Sequence, residues 1–147
     1  MNKVIENYRD KIRIYDRVVQ LCLKHSLKLP ARSQTLGVLG ELLAYEYFLK
    51  TKGVKFPENH AAGSDFDLLV GGVKYEVKTS KRNKSGKFSI VWNKNIRNGE
   101  PLFERMIVVL LEKIDSQPLF FDISADRLGG ITGLNIKTSQ QLMRFIE

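Results

Sequence analysis

The amino-acid sequence predicts a single α/β domain in which a mixed sheet of about five strands is flanked by helices, and three features carry that expectation. The first third holds two long segments with apolar residues at helical spacing. The middle holds short runs rich in β-branched and aromatic residues, two of them separated by a glycine pair. Farther on, Arg105 to Glu112 is a continuous apolar run bounded by charges, as a strand buried on both faces would be. Helices, then strands, then a closing helix fit layers around one core. A chain of 147 residues suits one domain over 1–147 that buries a core without cross-links.

The first helix follows from Val4, Ile5, Tyr8, Ile12, Tyr15, Val19, Cys22 and Leu23, which fall within a sector roughly 100° wide. Glu6, Arg9, Asp10, Arg13, Asp16, Arg17 and Lys24 take the other side. Residues 1–30 therefore read as an N-terminal helical extension packed on the domain, closed by a linker at Leu29-Pro30, with a homodimer contact as the alternative use of the stripe.

A second helix is expected from an N-cap at Ser33 through TLGVLGELLAYEYFLK to a stop at Gly53. Leu36, Leu39, Leu43 and Tyr47 make one face, and Glu41 lies on another with Gly37, Ala44, Tyr45 and Phe48. Each glycine inside a helix costs about 1 kcal/mol relative to alanine. Close approach of the helix to the sheet is the expected return, which would carry Glu41 inward and require a cation or a lysine as its partner.

Val54 to Pro57 reads as a short edge strand and Glu58 to Ser64 as a loop. Phe66 to Val70 and Val73 to Thr79 then form a β-hairpin, because Gly71-Gly72 can take the positive φ angles of a two-residue turn. Phe66, Leu68, Val70, Val73, Tyr75, Val77 and Thr79 share the face turned to the core. Counting outward from Val70 opposite Val73 sets Asp67 opposite Glu76 and Asp65 opposite Lys78. Like charges directly across a ladder cost roughly 0.2–1 kcal/mol. Either a divalent cation sits between the acids, since hard cations take carboxylate oxygens, or the face is a solvated one on which the charges are tolerated.

Beyond the hairpin, Ser80 to Lys87 is a basic loop, Phe88 to Trp92 a strand, and Asn93 to Pro101 a turn-rich excursion marked by Asn98-Gly99. Leu119 to Ile123 is a further strand and Gly129, Gly130 and Gly133 mark a flexible connection. Thr138 to Glu147 is a closing helix that offers Leu142, Met143, Phe145 and Ile146 for packing.

Composition narrows the class. Cys22 is the lone cysteine, so no disulfide within the chain is possible, and with His25 and His60 it makes a poor zinc set. The run Met106 to Leu111 is far shorter than the ~20 residues of a membrane helix. With no secretory signal at the charged N-terminus, an intracellular protein without a membrane partner is expected. A net charge of +8 points to a polyanion. Between Glu76 and Glu100 stand seven basic residues and no acid: Lys78, Lys81, Arg82, Lys84, Lys87, Lys94 and Arg97, with Phe88 and Trp92 interleaved. Such a segment either tracks a nucleic-acid backbone, releasing counterions as it binds, or is a solvated basic loop.

An acid opening a hydrophobic strand, followed across a short turn by Glu-x-Lys, resembles the signature of the PD-(D/E)XK nuclease superfamily, the fold of many restriction endonucleases and archaeal Holliday junction resolvases. The matching residues are Asp67 and Glu76-Val77-Lys78, and the resemblance spans Ser33 to Lys78. No proline precedes the acid, and Asp65 competes with Asp67; Asp67 is preferred because it leads into Leu68-Leu69-Val70 and faces Glu76. The resemblance implies a restriction endonuclease-like fold and DNA hydrolysis with Mg²⁺, for which Mn²⁺ would substitute. It further implies metal ligation by Asp67, Glu76 and the Val77 carbonyl, a catalytic Lys78, and an additional acid from the preceding helix at Glu41 that completes a second metal site or positions water. Lys81, Arg82, Lys84, Lys87, Lys94 and Arg97 would then follow the DNA backbone, with Trp92 or Phe88 stacking on exposed bases.

Overall fold

The computed structural model describes residues 1–29, 34–57, 65–92 and 96–146. The linker residue Pro30, the cap Ser33, the loop 58–64 with His60, Asn93, Lys94 and Glu147 lie outside these described residues. In chain order the elements are helices α1 (Asn2–Lys24) and α2 (Thr35–Thr51), then strands β1 (Val54–Lys55), β2 (Leu68–Val70), β3 (Val73–Lys81), β4 (Phe88–Val91), β5 (Ile96–Arg97), β6 (Glu100–Pro101), β7 (Arg105–Leu111), β8 (Leu119–Ser124) and β9 (Gly133–Ile136), and a closing 3₁₀ helix, Ser139–Phe145.

Five strands make the expected mixed sheet, in the order β1-β2-β3-β7-β8. β3 and β7 run parallel and the other neighbours antiparallel. The β2–β3 hairpin turns at Gly71 and Gly72, with φ of 55° and 83°, and Val70 pairs with Val73. Pleating divides β7 between two cores: Ile107, Val109 and Leu111 face a cluster that includes Leu39, Leu43 and Phe48 of α2, whereas Met106, Val108 and Leu110 face Phe88, Ile90 and Trp92. Each such side chain taken from water contributes roughly 1.5–3 kcal/mol, so the run buried on both faces is the strongest single determinant of the fold.

The fully buried residues of α1 lie in its first half. Ile5 and Ile12 are buried and Tyr8 packs beside them, while Val4 and Leu23, expected in the same stripe, are exposed. Arg9 Nε donates to the Ile114 carbonyl (3.1 Å), and Lys81 at the end of β3 pairs with Asp16 (2.9 Å), which moor the helix to the sheet. In α2 close approach is concentrated at Gly40, where an added Cβ would lie 1.5 Å from Thr79 Oγ1; at Gly37 a Cβ would meet open space.

The second half departs from the expectation. β4 leaves the main sheet and pairs with β9, so the stretch around Gly133 is a strand rather than a flexible connection. This two-stranded ribbon covers the sheet face opposite the helices. The C-terminal segment is a 3₁₀ helix opened by a capping box of Thr138 and Gln141. Its buried residues, Leu142 and Phe145, stand three apart, which matches three residues per turn; Met143 and Ile146 are exposed. Phe66 is only half-buried and stands outside the core, with the Lys74 ammonium 5.7 Å from its ring centre. Asn98 and Gly99 turn the β5–β6 hairpin with φ of 53° and 78°, as their sequence predicts. Among the described residues no helix is long and apolar enough to cross a membrane.

Candidate functional site

The site begins where β2 stops. Paired residues of β2 and β3 end at Leu68 opposite Tyr75, and Asp67 is the first residue off the ladder. Its N–H still donates to the Tyr75 carbonyl (2.9 Å), and its Oδ2 accepts from the Val77 N–H (2.8 Å). A carboxylate thus takes the place of the strand carbonyl that a longer β2 would have supplied. Glu76 projects from β3 next to Met106 of β7 and is 3% exposed.

Two residues on, Lys78 Nζ lies 2.7 Å from Glu76 Oε1. Burial first, and then the negative charge of Asp67, push the Glu76 carboxyl up to about 8, against the pull of Lys78. At neutral pH the acid pair therefore holds a proton in the place where a cation could sit. The expected opposition of Asp67 and Glu76, with Lys78 alongside, is the part of the site that the fold brings together.

Asp65 does not join them. It lies three residues beyond the last pair, where strand alternation no longer governs direction, and its Oδ1 stands 3.6 Å from Arg97 Nη2. Where the ladder ends thus decides which of the two acids stands beside Glu76. Glu41 is half-buried on α2, one residue after Gly40. Among the described residues no group of three or more His, Cys, Asp and Glu side chains is placed to hold a metal ion, so Glu41 is not gathered into a three-carboxylate set with Asp67 and Glu76. The donors that do fit a divalent cation are two hard carboxylates and, beside them, the Val77 backbone.

The basic segment divides into two kinds of residue. Lys81 is committed to Asp16. Arg82 grips both oxygens of Glu112, donates to the carbonyls of Gly86 (2.6 Å) and Lys137 (2.7 Å), and lies over the Phe88 ring. With its donors turned to the protein, Arg82 serves as a brace rather than a phosphate contact. Two of its partners, Glu112 and Lys137, lie 30 and 55 residues away, and nothing local in the sequence signals them. Lys84 and Arg97 are exposed and Lys87 is half-buried, while Lys94 lies outside the described residues.

Trp92 is 1% exposed and Phe88 is equally buried, both within the core under the ribbon. Base stacking by either ring is therefore corrected to a packing role. Phe88 and Ile90 point inward along β4, and Trp92 follows in the same alternation.

No protein-family model matches the chain, and no curated protein matches it. The chain is a five-stranded mixed sheet with α1 and α2 on one face, a broad α/β architecture. Among solved structures the chain is similar to that of a bacterial homing endonuclease, I-Ssp6803I, with a TM-score of 0.55 and 20% identity over 75% of this chain and 78% of that one. The likeness is one of fold.

Proposed function

We propose that this chain is a metal-dependent endonuclease that hydrolyses phosphodiester bonds in DNA. The observation that carries the reading is the buried Glu76, held beside Asp67 and within 2.7 Å of Lys78 on a sheet like that of a homing endonuclease. Asp67, Glu76 and the Val77 carbonyl would hold Mg²⁺, or Mn²⁺ in its place. Such an ion supplies Lewis-acid polarisation and charge neutralisation at the scissile phosphate. The chain's own groups do the rest. The Val77 N–H fixes one oxygen of Asp67, leaving the other to face the site. Glu76 holds the Lys78 ammonium in place, and Lys78 orients the attacking water and stabilises negative charge on the phosphate. Glu41 enters as an additional acid from α2 that positions water.

The net charge of +8, with Lys84 and Arg97 exposed, supports a nucleic-acid substrate. Junction, flap or branched DNA is the favoured substrate class, and restriction-like or defence substrates are the other. Cutting two strands requires two sites, so a homodimer belongs to the proposal; light scattering that finds a monomer with and without DNA removes it.

The test is incubation of supercoiled plasmid and of branched duplexes with Mg²⁺, Mn²⁺ or EDTA. Nicking that needs the metal and is lost in Asp67→Ala and Glu76→Ala is the expected result; equal cleavage in EDTA, or none on any DNA, overturns it. A second reading, a non-catalytic basic nucleic-acid-binding module on the same fold, is favoured by the lack of a three-carboxylate group among the described residues. DNA binding without cleavage under every metal condition would select it.

A further inference from the structure

The β4–β9 ribbon shows its outer face to solvent, and that face is not an ordinary sheet surface. Its pairs are Phe88↔Ile136, Ser89↔Asn135, Ile90↔Leu134 and Val91↔Gly133. Phe88, Ile90 and Ile136 point into the core, which leaves Ser89, Val91 and Asn135 outside. Val91 is 61% exposed although it is apolar and β-branched. Gly133 opposite it offers no cover, and a Cβ there would stand 3.1 Å from the Ile90 carbonyl oxygen. Ser89 Oγ bonds Asn135 Oδ1 (3.1 Å), so the two polar groups form one unit at the centre of the face.

One step past Phe88↔Ile136, just off the ladder, come Lys87, which is half-buried, and Lys137, which is exposed. The neighbouring acid, Glu112, is taken up by Arg82, which also braces both strands through the carbonyls of Gly86 and Lys137. The ribbon is thus a stiff, basic-ended element with hydrogen-bonding groups and one bare apolar side chain along its outer face. That composition suits the major groove of duplex DNA, which admits a two-stranded ribbon. Lysines there meet phosphates, Ser and Asn bond base edges, and an apolar side chain touches the thymine methyl.

We propose that the outer face of the β4–β9 ribbon lies in the major groove of duplex DNA and reads base pairs through Ser89, Asn135 and Val91, with Lys87 and Lys137 on the flanking phosphates. The choice of DNA rests on the nuclease reading. The two surfaces are joined: the Ser89 N–H donates to Ser80 Oγ (3.0 Å), and Ser80 follows Lys78 on the same face of β3, about 7 Å along the strand.

The test keeps binding apart from cleavage. Full-length protein in EDTA selects from a pool of random duplexes, and bound molecules are sequenced. The wild type enriches a short base preference. Ser89→Ala/Asn135→Ala keeps the salt slope of binding and loses that preference, whereas Lys87→Ala and Lys137→Ala keep the preference and each lower the slope by about 0.9. Duplexes with uracil in place of thymine bind the wild type several-fold more weakly, and Val91→Ala makes the two equal. Circular dichroism of each variant confirms that the fold is intact. An unchanged preference in the double variant, unchanged slopes in both lysine variants, or no duplex binding overturns the proposal. Reading without cutting in Mg²⁺ or Mn²⁺ sinks the nuclease and spares the ribbon; cutting with a preference indifferent to Ser89 and Asn135 does the reverse.

Discussion

Glu76→Gln exchanges a carboxyl that folding keeps protonated for an amide of nearly the same shape, and the response of stability to pH should change with it. The folded pKa of Glu76 is raised from 4.5 to about 8. A carboxyl raised in this way binds its proton more tightly in the folded state than in the unfolded one. Its contribution to stability is therefore fully present below pH 4.5 and is lost as pH rises through about 8. The sign is opposite to that of the usual salt-bridged acid. Each pH unit inside the window is worth about 1.4 kcal/mol, so raising pH from about 5.5 to about 7.5 removes roughly 2–3 kcal/mol. For a chain of this size that is a fall in Tm of roughly 4–12 °C.

Thermal unfolding followed by circular dichroism in EDTA at several pH values measures the effect. The wild type should lose stability across the window and Glu76→Gln should lose far less. Subtracting the two curves removes the contributions common to both. Adding Mg²⁺ near pH 8 should restore the wild type, because the cation relieves the repulsion that the departed proton left behind, and should do much less for Glu76→Gln. Parallel slopes for the two proteins would show that Asp67 and Glu76 do not share a repulsive site, and the metal assignment would fall with them.

Lys78→Ala should lower kcat on plasmid DNA by about 10²-fold or more with little change in DNA affinity, and retained cleavage removes Lys78 from the chemistry. Glu41→Gln should slow cleavage to a similar degree at low and high Mg²⁺; a rate equal to that of the wild type would return Glu41 to an ordinary helix acid. Gly40→Ala should cost roughly 1–3 kcal/mol in urea unfolding through overpacking against Thr79, whereas Gly37→Ala should be neutral or stabilising. Trp92→Phe should lower stability and leave affinity for single-stranded DNA unchanged; a drop in that affinity would bring the ring back as a stacking platform.

The hairpin was legible because its information is local. Two glycines free to take positive φ fix the turn, the turn fixes the register, and the register sets Asp67 against Glu76. β7 was legible because six consecutive buried apolar residues, Met106 to Leu111, have no other economical place than the middle of a sheet. β9 was not, since Gly-Leu-Asn-Ile is short, holds two poor strand formers and depends on a partner more than forty residues upstream. Only the alternation of Leu134 and Ile136 with Gly133 and Asn135 could have betrayed it. The roles of Arg82 and Trp92 were hidden for the same reason: whether a side chain meets solvent or a distant carbonyl is decided by contacts that no short window contains.

The length difference between the hairpin strands explains why the chemistry sits where it does. β2 has three residues and β3 has nine, so from Glu76 onward β3 has β7 on one side and no β2 on the other. Into that notch Asp67 turns its carboxylate to accept the Val77 N–H, and α2 comes close enough at Gly40 to press on Thr79. Asp67 is thus held by a backbone N–H, the rigid support that positioned chemistry requires, and Glu76 by the Lys78 ammonium beside it. Extending β2 by replacing Asp67 with a β-branched residue should therefore do two things together. Asp67→Val should let the ladder continue toward Glu76 and raise stability at neutral pH by removing the charge that Glu76 faces, while abolishing cleavage. If Asp67→Val instead destabilises the metal-free protein, the bond from Val77 to Asp67 outweighs the repulsion, and the notch owes its shape to the carboxylate itself.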